Sequence, residues 1–359
     1  MNLIQWIRRL VSPREVAPAL SLTDRLVWES GPLAGPIPHA EIDAMLADPM
    51  IQSALTVKQL GLLSAPGRVV PANDSPRARR HAEFIAAAFD RMSGSPLDIL
   101  RHATDAFARG WSLQELIFEP INDVVWLREV KPKAVESFGL LPDAYGNLRA
   151  ITHSLPGEAT RQYAPEKFVI YRHRRDARHP FGQSDLVPVR PHFRAKQDLL
   201  HAWQIHLERH ASPTLVGRYD RQSSPDETKS LFESLKRVTR SGAIVHPQDF
   251  SIDALPVDAQ ASRGFQDVID FHNREIARAI LGQTLTTDEG RRVGSLALGK
   301  VHLQVLLLQL SALRQELADT VMTEQVIRRL IQLNFEDRDI PRYEFDPVDV
   351  SAFATGSLT

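Results

Sequence analysis

Hydrophobic residues in the first third of the chain recur at three- and four-residue spacing, in blocks that open with polar caps. From Asp48-Pro49 to Leu63 the pattern predicts a helix with Ile51, Leu55 and Leu60 on one side. Ser75-Pro76 supplies an N-cap followed by proline at the first helical position, and Phe84, Ile85, Ala88 and Phe89 follow at helical spacing. Ser95-Pro96-Leu97-Asp98 repeats that start signal for a helix through Leu100, Ala103 and Phe107, which Gly110 stops. The period then changes. Residues 111–118, 124–130, 148–153 and 168–171 are short, rich in β-branched and aromatic side chains, and separated by Pro, Gly and Asn-Asp turns. They predict a small antiparallel sheet.

Helical periodicity returns at Pro191 and runs to His210, but its apolar positions (Phe193, Leu199, Leu200, Trp203, Leu207) are sparse. A helix with so little core face spans between domains or packs on other chains. Leu215 to Tyr219 reads as a strand, and Ser224-Pro225-Asp226-Glu227 is a capping box opening a helix to about Arg240. Residues 243–246 and 250–255 read as two further strands, so 211–256 forms a compact insert. A helix follows from about Ser262 to Leu281, with Phe265, Ile269, His272, Ile276 and Ile280 on one stripe. A polar loop, Gln283 to Gly294, precedes one long helical pattern from Ser295 to Leu333, and Tyr343 to Phe345 is a short strand. Loops of about a dozen residues without structure of their own are uncommon in compact domains and are more often functional. The pattern is that of an α+β, mainly helical protein.

Residues 12–40 are rich in Pro and Gly and read as an extended arm. Before them, Arg8 and Arg9 follow the apolar Leu3, Ile4, Trp6 and Ile7, the reverse of a signal peptide, so a short helix or docking arm is expected. No apolar run approaches the ~18 residues of a membrane span.

The 359 residues, 43% hydrophobic, suffice for two domains or one with an appendage. With no cysteine there is no disulfide framework and no thiolate chemistry, which suits a reducing compartment. Lys and Arg number 43 against 44 Asp and Glu. A protein that grips nucleic acid through phosphates is usually basic. If this chain meets DNA, it does so without a global positive field.

Catalytic motifs are absent from the sequence. His206-Leu207-Glu208-Arg209-His210 has Leu207 where a zinc protease needs its glutamate, and reads as two solvated or interfacial histidines. Gly299-Lys300 lacks the upstream glycine and following hydroxyl of a phosphate loop, and Ser241-Gly242 is no nucleophile elbow. Asp267 and Asp270 fit a solvated helix face. No catalytic, metal or cofactor residue is picked out. The segment from Arg172 to Arg178 holds Arg172, Arg174, Arg175 and Arg178. It is either a solvated loop or a contact for phosphate or for an acidic neighbouring subunit.

The order of these elements resembles a phage portal protein, in the branch found in Mu-like phages and prophages. The resemblance rests on Gly110-Trp111-Ser112-Leu113-Gln114-Glu115, Lys167-Phe168-Val169-Ile170, Pro180-Phe181-Gly182-Gln183-Ser184-Asp185-Leu186, Trp203, Glu208 and Pro213, Ile280-Leu281-Gly282-Gln283-Thr284-Leu285-Thr286-Thr287, and Leu333-Asn334-Phe335. It implies the phage portal fold: an N-terminal arm (1–40), a wing of helices and sheet (41–190), a first stem helix (191–210) and an α/β clip (211–256). A second stem helix (257–282), a tunnel loop (283–294), and a long wing helix with the tail (295–359) complete it, with the crown reduced or absent.

The resemblance further implies a ring, generally dodecameric, at a capsid vertex of a virion assembled in the host cytoplasm, with no enzymatic activity, cofactor or membrane. Its partners would be the terminase large subunit, the head-tail adaptor or connector, the major capsid protein, and double-stranded DNA passing non-specifically through the channel. Tunnel-loop candidates are Thr286, Thr287, Asp288, Glu289, Arg291 and Arg292. Channel-facing candidates on the second stem helix are Asp258, Asp267, Asp270 and Glu275. The clip's partner surface would use Tyr219, Arg221, Lys229, Lys236, Arg237 and Arg240. A channel that lets DNA slide should be acidic or mixed, because each neutralised phosphate releases counterions and tightens the grip. Two alternatives remain open at this stage: a minor capsid or head-morphogenesis protein, and an intracellular α+β enzyme with a site of unfamiliar form.

Overall fold

The computed structural model describes residues 37–143, 146–176, 178–210, 215–218, 224–241, 251–254, 259–283, 296–335 and 339–347. The chain divides into two units, residues 1–190 with 275–359, and residues 191–274.

The first unit opens with α1 (His39–Leu46) and α2 (Pro49–Leu63). Asp48 caps α2, its Oδ1 accepting from the backbone N–H of Met50 at 2.9 Å and Ile51 at 3.2 Å. The buried face of α2 is Ile51, Ala54, Lys58 and Leu62, whereas Leu60 is 62% exposed. The expected Ile51-Leu55-Leu60 face is therefore wrong. Five residues of α-helix place Leu55 and Leu60 about 140° apart, too far to share a stripe.

The strand β1 (Gly67–Val70) is followed by α3 (Pro76–Arg91), capped by Ser75 as its sequence predicts. The helix α4 (Pro96–Ala103) carries the full Ser95/Asp98 capping box. The expected continuation to Phe107 breaks at Thr104, whose hydroxyl donates to Arg101 O (2.5 Å) and accepts from Gln59 Nε2 (2.5 Å). A single turn, α5 (Ala106–Arg109), leads to Gly110 at φ +82°.

Two sheets then form where one was expected. The central strand β2 (Trp111–Ile121) pairs antiparallel with β3 (Val124–Lys133) and with β7 (Phe168–Arg172). Asn122 and Asp123 join β2 to β3, both at positive φ (47° and 61°), as a two-residue hairpin of this twist requires. The second sheet is β4 (Phe138–Pro142), β5 (Leu148–His153) and β6 (Arg161–Tyr163). Ile151 of the second sheet packs with Leu113, Val135, Phe168 and Ile170 in one cluster, bordered by Trp111, Phe138 and Tyr163.

The second unit holds most of α6 (Arg190–His210), then β8 (Leu215–Arg218), α7 (Pro225–Ser241), β9 (Ser251–Ala254) and the first part of α8 (Ala259–Leu281). β8 and β9 pair antiparallel, Leu215 opposite Ala254 and Arg218 opposite Ser251. The capping box of α7 forms as predicted: Ser224 Oγ accepts from Glu227 N (3.2 Å) and Glu227 Oε2 accepts from Ser224 N (2.6 Å). The strand expected at 243–246 lies outside the described residues. α6 and α8 run antiparallel, since His192 meets Phe271 and His272 while Trp203 and His206 both meet Phe265.

Back in the first unit, α9 (Leu296–Leu317) passes into a π-helical segment (Ala318–Ile327) and then α10 (Arg328–Asn334). The predicted uninterrupted α-helix is thus interrupted. Gln325 accounts for this: its Nε2 donates to Thr320 O and to Ile170 O, both at 2.8 Å, and its Oε1 accepts from Ile170 N at 2.8 Å. The side chain stands in as a strand partner for the outer edge of β7. Asn334 does the same for Val125, accepting from its N–H (2.7 Å) and donating to its C=O (2.9 Å). The last strand, β10 (Arg342–Phe345), pairs antiparallel with β1.

Candidate functional site

The densest polar centre lies in the first unit, where the tract Pro180–Leu186 folds back on the end of α5. Gly182 sits at φ +91°, and a Cβ there would lie 2.1 Å from Gly110 O. Only glycine fits that approach. The tract is then stitched down. His173 N donates to Gly110 O (2.9 Å), Gln183 N to His173 O (2.7 Å) and Asp185 N to Phe107 O (2.8 Å), and Ser184 Oγ bonds Ala108 O.

These bonds bury Asp185 completely and surround it with donors. Lys58 Nζ of α2 donates to Oδ2 at 2.5 Å, while His173 Nε2 (3.1 Å) and Arg174 (3.0 Å) reach Oδ1. Lys58 also lies 4.5 Å from the centroid of the Phe107 ring, a cation–π contact. His173 Nδ1 faces the Tyr171 hydroxyl at 3.2 Å, and that hydroxyl also bonds the Glu316 carboxyl of α9.

Burial is the largest influence on Lys58, His173, Tyr171, Asp185 and Glu316. It pushes Lys58 and His173 below their ordinary values and Glu316 and Tyr171 above theirs. Burial alone would also raise Asp185, but the His173 hydrogen bond and the Lys58 and Arg174 charges outweigh it and hold the carboxyl low. His173 is therefore neutral and gives its one N–H to the carboxylate, leaving Nδ1 as acceptor. A buried lysine with a lowered pKa is a nucleophile candidate when it lines a cleft. This one is sealed between helix and loop, and the cluster acts as a structural hub.

The hub takes up half of the predicted basic loop. Arg172 donates to Pro180 O (3.1 Å), and burial, aided by Arg175, lowers it to about 10. Arg174, at φ +50°, is the third donor on Asp185. Arg175 and Arg178 are exposed. Between them Asp176 Oδ1 accepts from the backbone N–H of Arg178 (2.8 Å) and His179 (2.6 Å).

The remaining predicted positions fall as follows. Asp267 is exposed on α8, and Asp270 and Glu275 are half-buried there, Glu275 paired with Arg278 one turn on. Lys229 is exposed on α7. Asp258, Thr286, Thr287, Asp288, Glu289, Arg291, Arg292, Tyr219 and Arg221 lie outside the described residues, as do the side chains of Lys236, Arg237 and Arg240. Leu200 (38%), Leu207 (47%), Val268 (41%) and Phe271 (47%) are large apolar side chains left exposed on α6 and α8.

A groove of about 1150 Å³ runs between α9, the π segment and β10. Two of the three arginines that line it are engaged: Arg314 donates to Leu62 O (2.8 Å), Gly61 O (2.9 Å) and Ser64 Oγ (2.7 Å), and Arg328 pairs with Glu324 at 2.6 Å. No described helix is long and apolar enough to cross a membrane. Among the described residues no group of three or more His, Cys, Asp or Glu is arranged to hold a metal.

The chain is 26% identical over 343 residues to the Mu-like prophage FluMu protein gp29 of Haemophilus influenzae, covering 91% of this chain and 64% of that protein. It is 27% identical over 274 residues to the portal protein of Escherichia phage Mu, covering 72% and 50% respectively. The chain thus spans between half and two-thirds of the length of the curated relatives it matches. In fold it is similar to a chain from the neck of a native gene transfer agent particle computed with C12 symmetry, with TM-score 0.62, 13% identity, and coverage of 93% of this chain and 92% of that one. A chain from the neck of the empty particle, computed with C6 symmetry, gives TM-score 0.63 at 14% identity with the same coverage of both chains. The sequence model described as the portal protein of Mu bacteriophage matches residues 39–354, and the chain belongs to that family.

Proposed function

We propose that this chain is one subunit of a closed portal ring at a capsid vertex, a virion component through which double-stranded DNA is packaged and ejected. The family match over residues 39–354 carries this reading, and the fold's likeness to symmetric neck assemblies supports it. So do the exposed Leu200, Leu207, Val268 and Phe271. Apolar side chains left exposed on these two helices suit a seam between copies, and a ring places each copy against two neighbours through such seams. The role is structural, with no catalysis of its own.

In finer detail, the ring is a dodecamer, and 191–210 and 257–282 are its stem helices. The clip at 211–256 would dock the terminase large subunit and then the head-tail adaptor, with Lys229 on its exposed helix face. The wing would meet the major capsid protein. Asp267, Asp270 and Glu275 would give the bore its acidic character, and residues 283–294 would form the tunnel loop. Arg175 and Arg178 remain the basic-loop positions open to a phosphate or an acidic neighbour.

Purified full-length protein examined by negative stain and by mass tests this. Closed rings many times the 40.3 kDa subunit mass are expected. Phe271→Asp with Leu207→Asp should cut ring yield at unchanged circular dichroism. Rings need not hold the virion's subunit number, but a protein forming no ring under any condition overturns the proposal.

A further inference from the structure

Within the second unit, α6 and α8 meet through two histidines. The Nδ1 atoms of His192 and His272 stand 3.1 Å apart, with ring centroids 5.3 Å apart and planes tilted by 55°. Phe271 flanks the pair, its centroid 6.3 Å from that of His192. Both histidines are half-buried, so solvent reaches them.

Two ring nitrogens this close cannot both present lone pairs to one another. In the absence of a further ligand, one must carry a hydrogen. A metal ion removes that conflict by accepting both lone pairs. Zinc-to-imidazole bonds of 2.0–2.1 Å at a tetrahedral angle hold two nitrogens about 3.3 Å apart. The observed spacing is already within a few tenths of an ångström of that.

We infer that His192 and His272 form a two-histidine site for a borderline divalent transition-metal ion (Cu²⁺, Ni²⁺ or Zn²⁺), clasping the two antiparallel helices to each other. Water completes the coordination shell, since no third protein ligand joins them among the described residues. Imidazole selects these ions over Mg²⁺ and Ca²⁺, which take oxygen ligands. Cu²⁺ should bind more tightly than Ni²⁺ or Zn²⁺. Arg194 and Lys196 near His192 and Arg274 near His272 oppose a cation, while Asp270 and Glu275 near His272 favour one. Binding needs both rings as the tautomer with its hydrogen on Nε2, so the shared hydrogen shifts within its own ring and no net proton is released. The site is built by one chain and stands whether or not the ring reading does.

The test uses the full chain without a polyhistidine tag, because the protein already carries 13 histidines. Calorimetric titration and thermal melting are run with CuCl₂, NiCl₂, ZnCl₂ and MgCl₂. The three transition metals should bind one ion per chain and raise the melting temperature, and MgCl₂ should not. His192→Gln and His272→Gln should each weaken Ni²⁺ binding at least tenfold at unchanged circular dichroism. His201→Gln, an exposed histidine on the same helix, should leave it unchanged. Electron paramagnetic resonance of the Cu²⁺ form should show two coordinated nitrogens, and one in either variant. Equal Ni²⁺ affinity in wild type and His272→Gln overturns the inference, as does a nitrogen count that neither variant lowers. Should the single variants misfold, the wild-type nitrogen count decides alone, and fewer than two nitrogens overturns it.

Discussion

Removing the charge of Asp185 tests the hub directly. Asp185→Asn keeps the size of the side chain but leaves Lys58, 5% exposed, without its counter-charge. The new amide also turns a donor toward a site ringed by donors. Breaking a buried ion pair from one side costs about 3–5 kcal/mol. Lysine chemistry sets an independent ceiling. Stripping the proton from a lysine of ordinary pKa, about 10.4, at pH 7 costs about 4.6 kcal/mol, and Lys58 can escape a worse penalty by that route. The two routes agree on about 3–4.5 kcal/mol. Lys58→Met removes the stranded cation, so the double variant Lys58→Met/Asp185→Asn should recover much of the loss. The four proteins then form a cycle with a coupling of at least ~2 kcal/mol. Urea unfolding followed by far-ultraviolet circular dichroism reads all four. A single Asp185→Asn variant within about 1 kcal/mol of wild type would refute the reasoning, as would additivity of the two changes within about 0.5 kcal/mol.

Acid should act first through His173. Burial lowers its folded pKa, so below the unfolded value of about 6.5 the unfolded chain binds a proton that the folded chain refuses. Stability should therefore fall as pH drops from about 6.5, and His173→Gln should flatten that slope. Asp185, held low, keeps its contribution until pH falls below about 4, and melting temperatures followed from about pH 8 down to about pH 2 separate the two. Gly182→Ala should lower stability by more than 2 kcal/mol or prevent soluble expression, because its Cβ would meet Gly110 O at 2.1 Å on top of a left-handed φ costing about 1–2 kcal/mol. Gly157→Ala, at φ +81° with nothing within 4 Å, should cost only that conformational part, and parallel melts of the two variants check the difference.

Local chemistry was legible in the sequence wherever its partners lie close along the chain. Ser75, Ser95 and Ser224 cap helices because the caps depend on residues two or three positions away. The Asn122-Asp123 hairpin is readable for the same reason. The hub was not, because Lys58 and Asp185 are 127 residues apart and a lysine in an amphipathic helix carries no mark of its burial. The basic loop misled by composition: four arginines in seven residues look like a free positive surface, yet Arg172 is spent on Pro180 O and Arg174, though exposed, on Asp185. The π segment escaped because its cause, Gln325, acts on a strand 155 residues earlier in the chain. The family was legible because motifs such as Pro180–Leu186 and Leu333-Asn334-Phe335 are short and contiguous. The structure shows what two of them do: one closes the hub, and the other contains the amide that holds Val125.

The two side-chain amides that complete strand edges, Gln325 on Ile170 and Asn334 on Val125, make the long helix a ruler. They stand nine positions apart, and both strands belong to one sheet, so the number of residues between the amides is fixed by the spacing of that sheet. A single deletion in this stretch would turn the following residues by about 100° and lift either amide from its edge. It would also carry Arg329 away from Phe168 O. Sequence change here is therefore confined to substitution, whereas the turn around Gly157 has room for insertions.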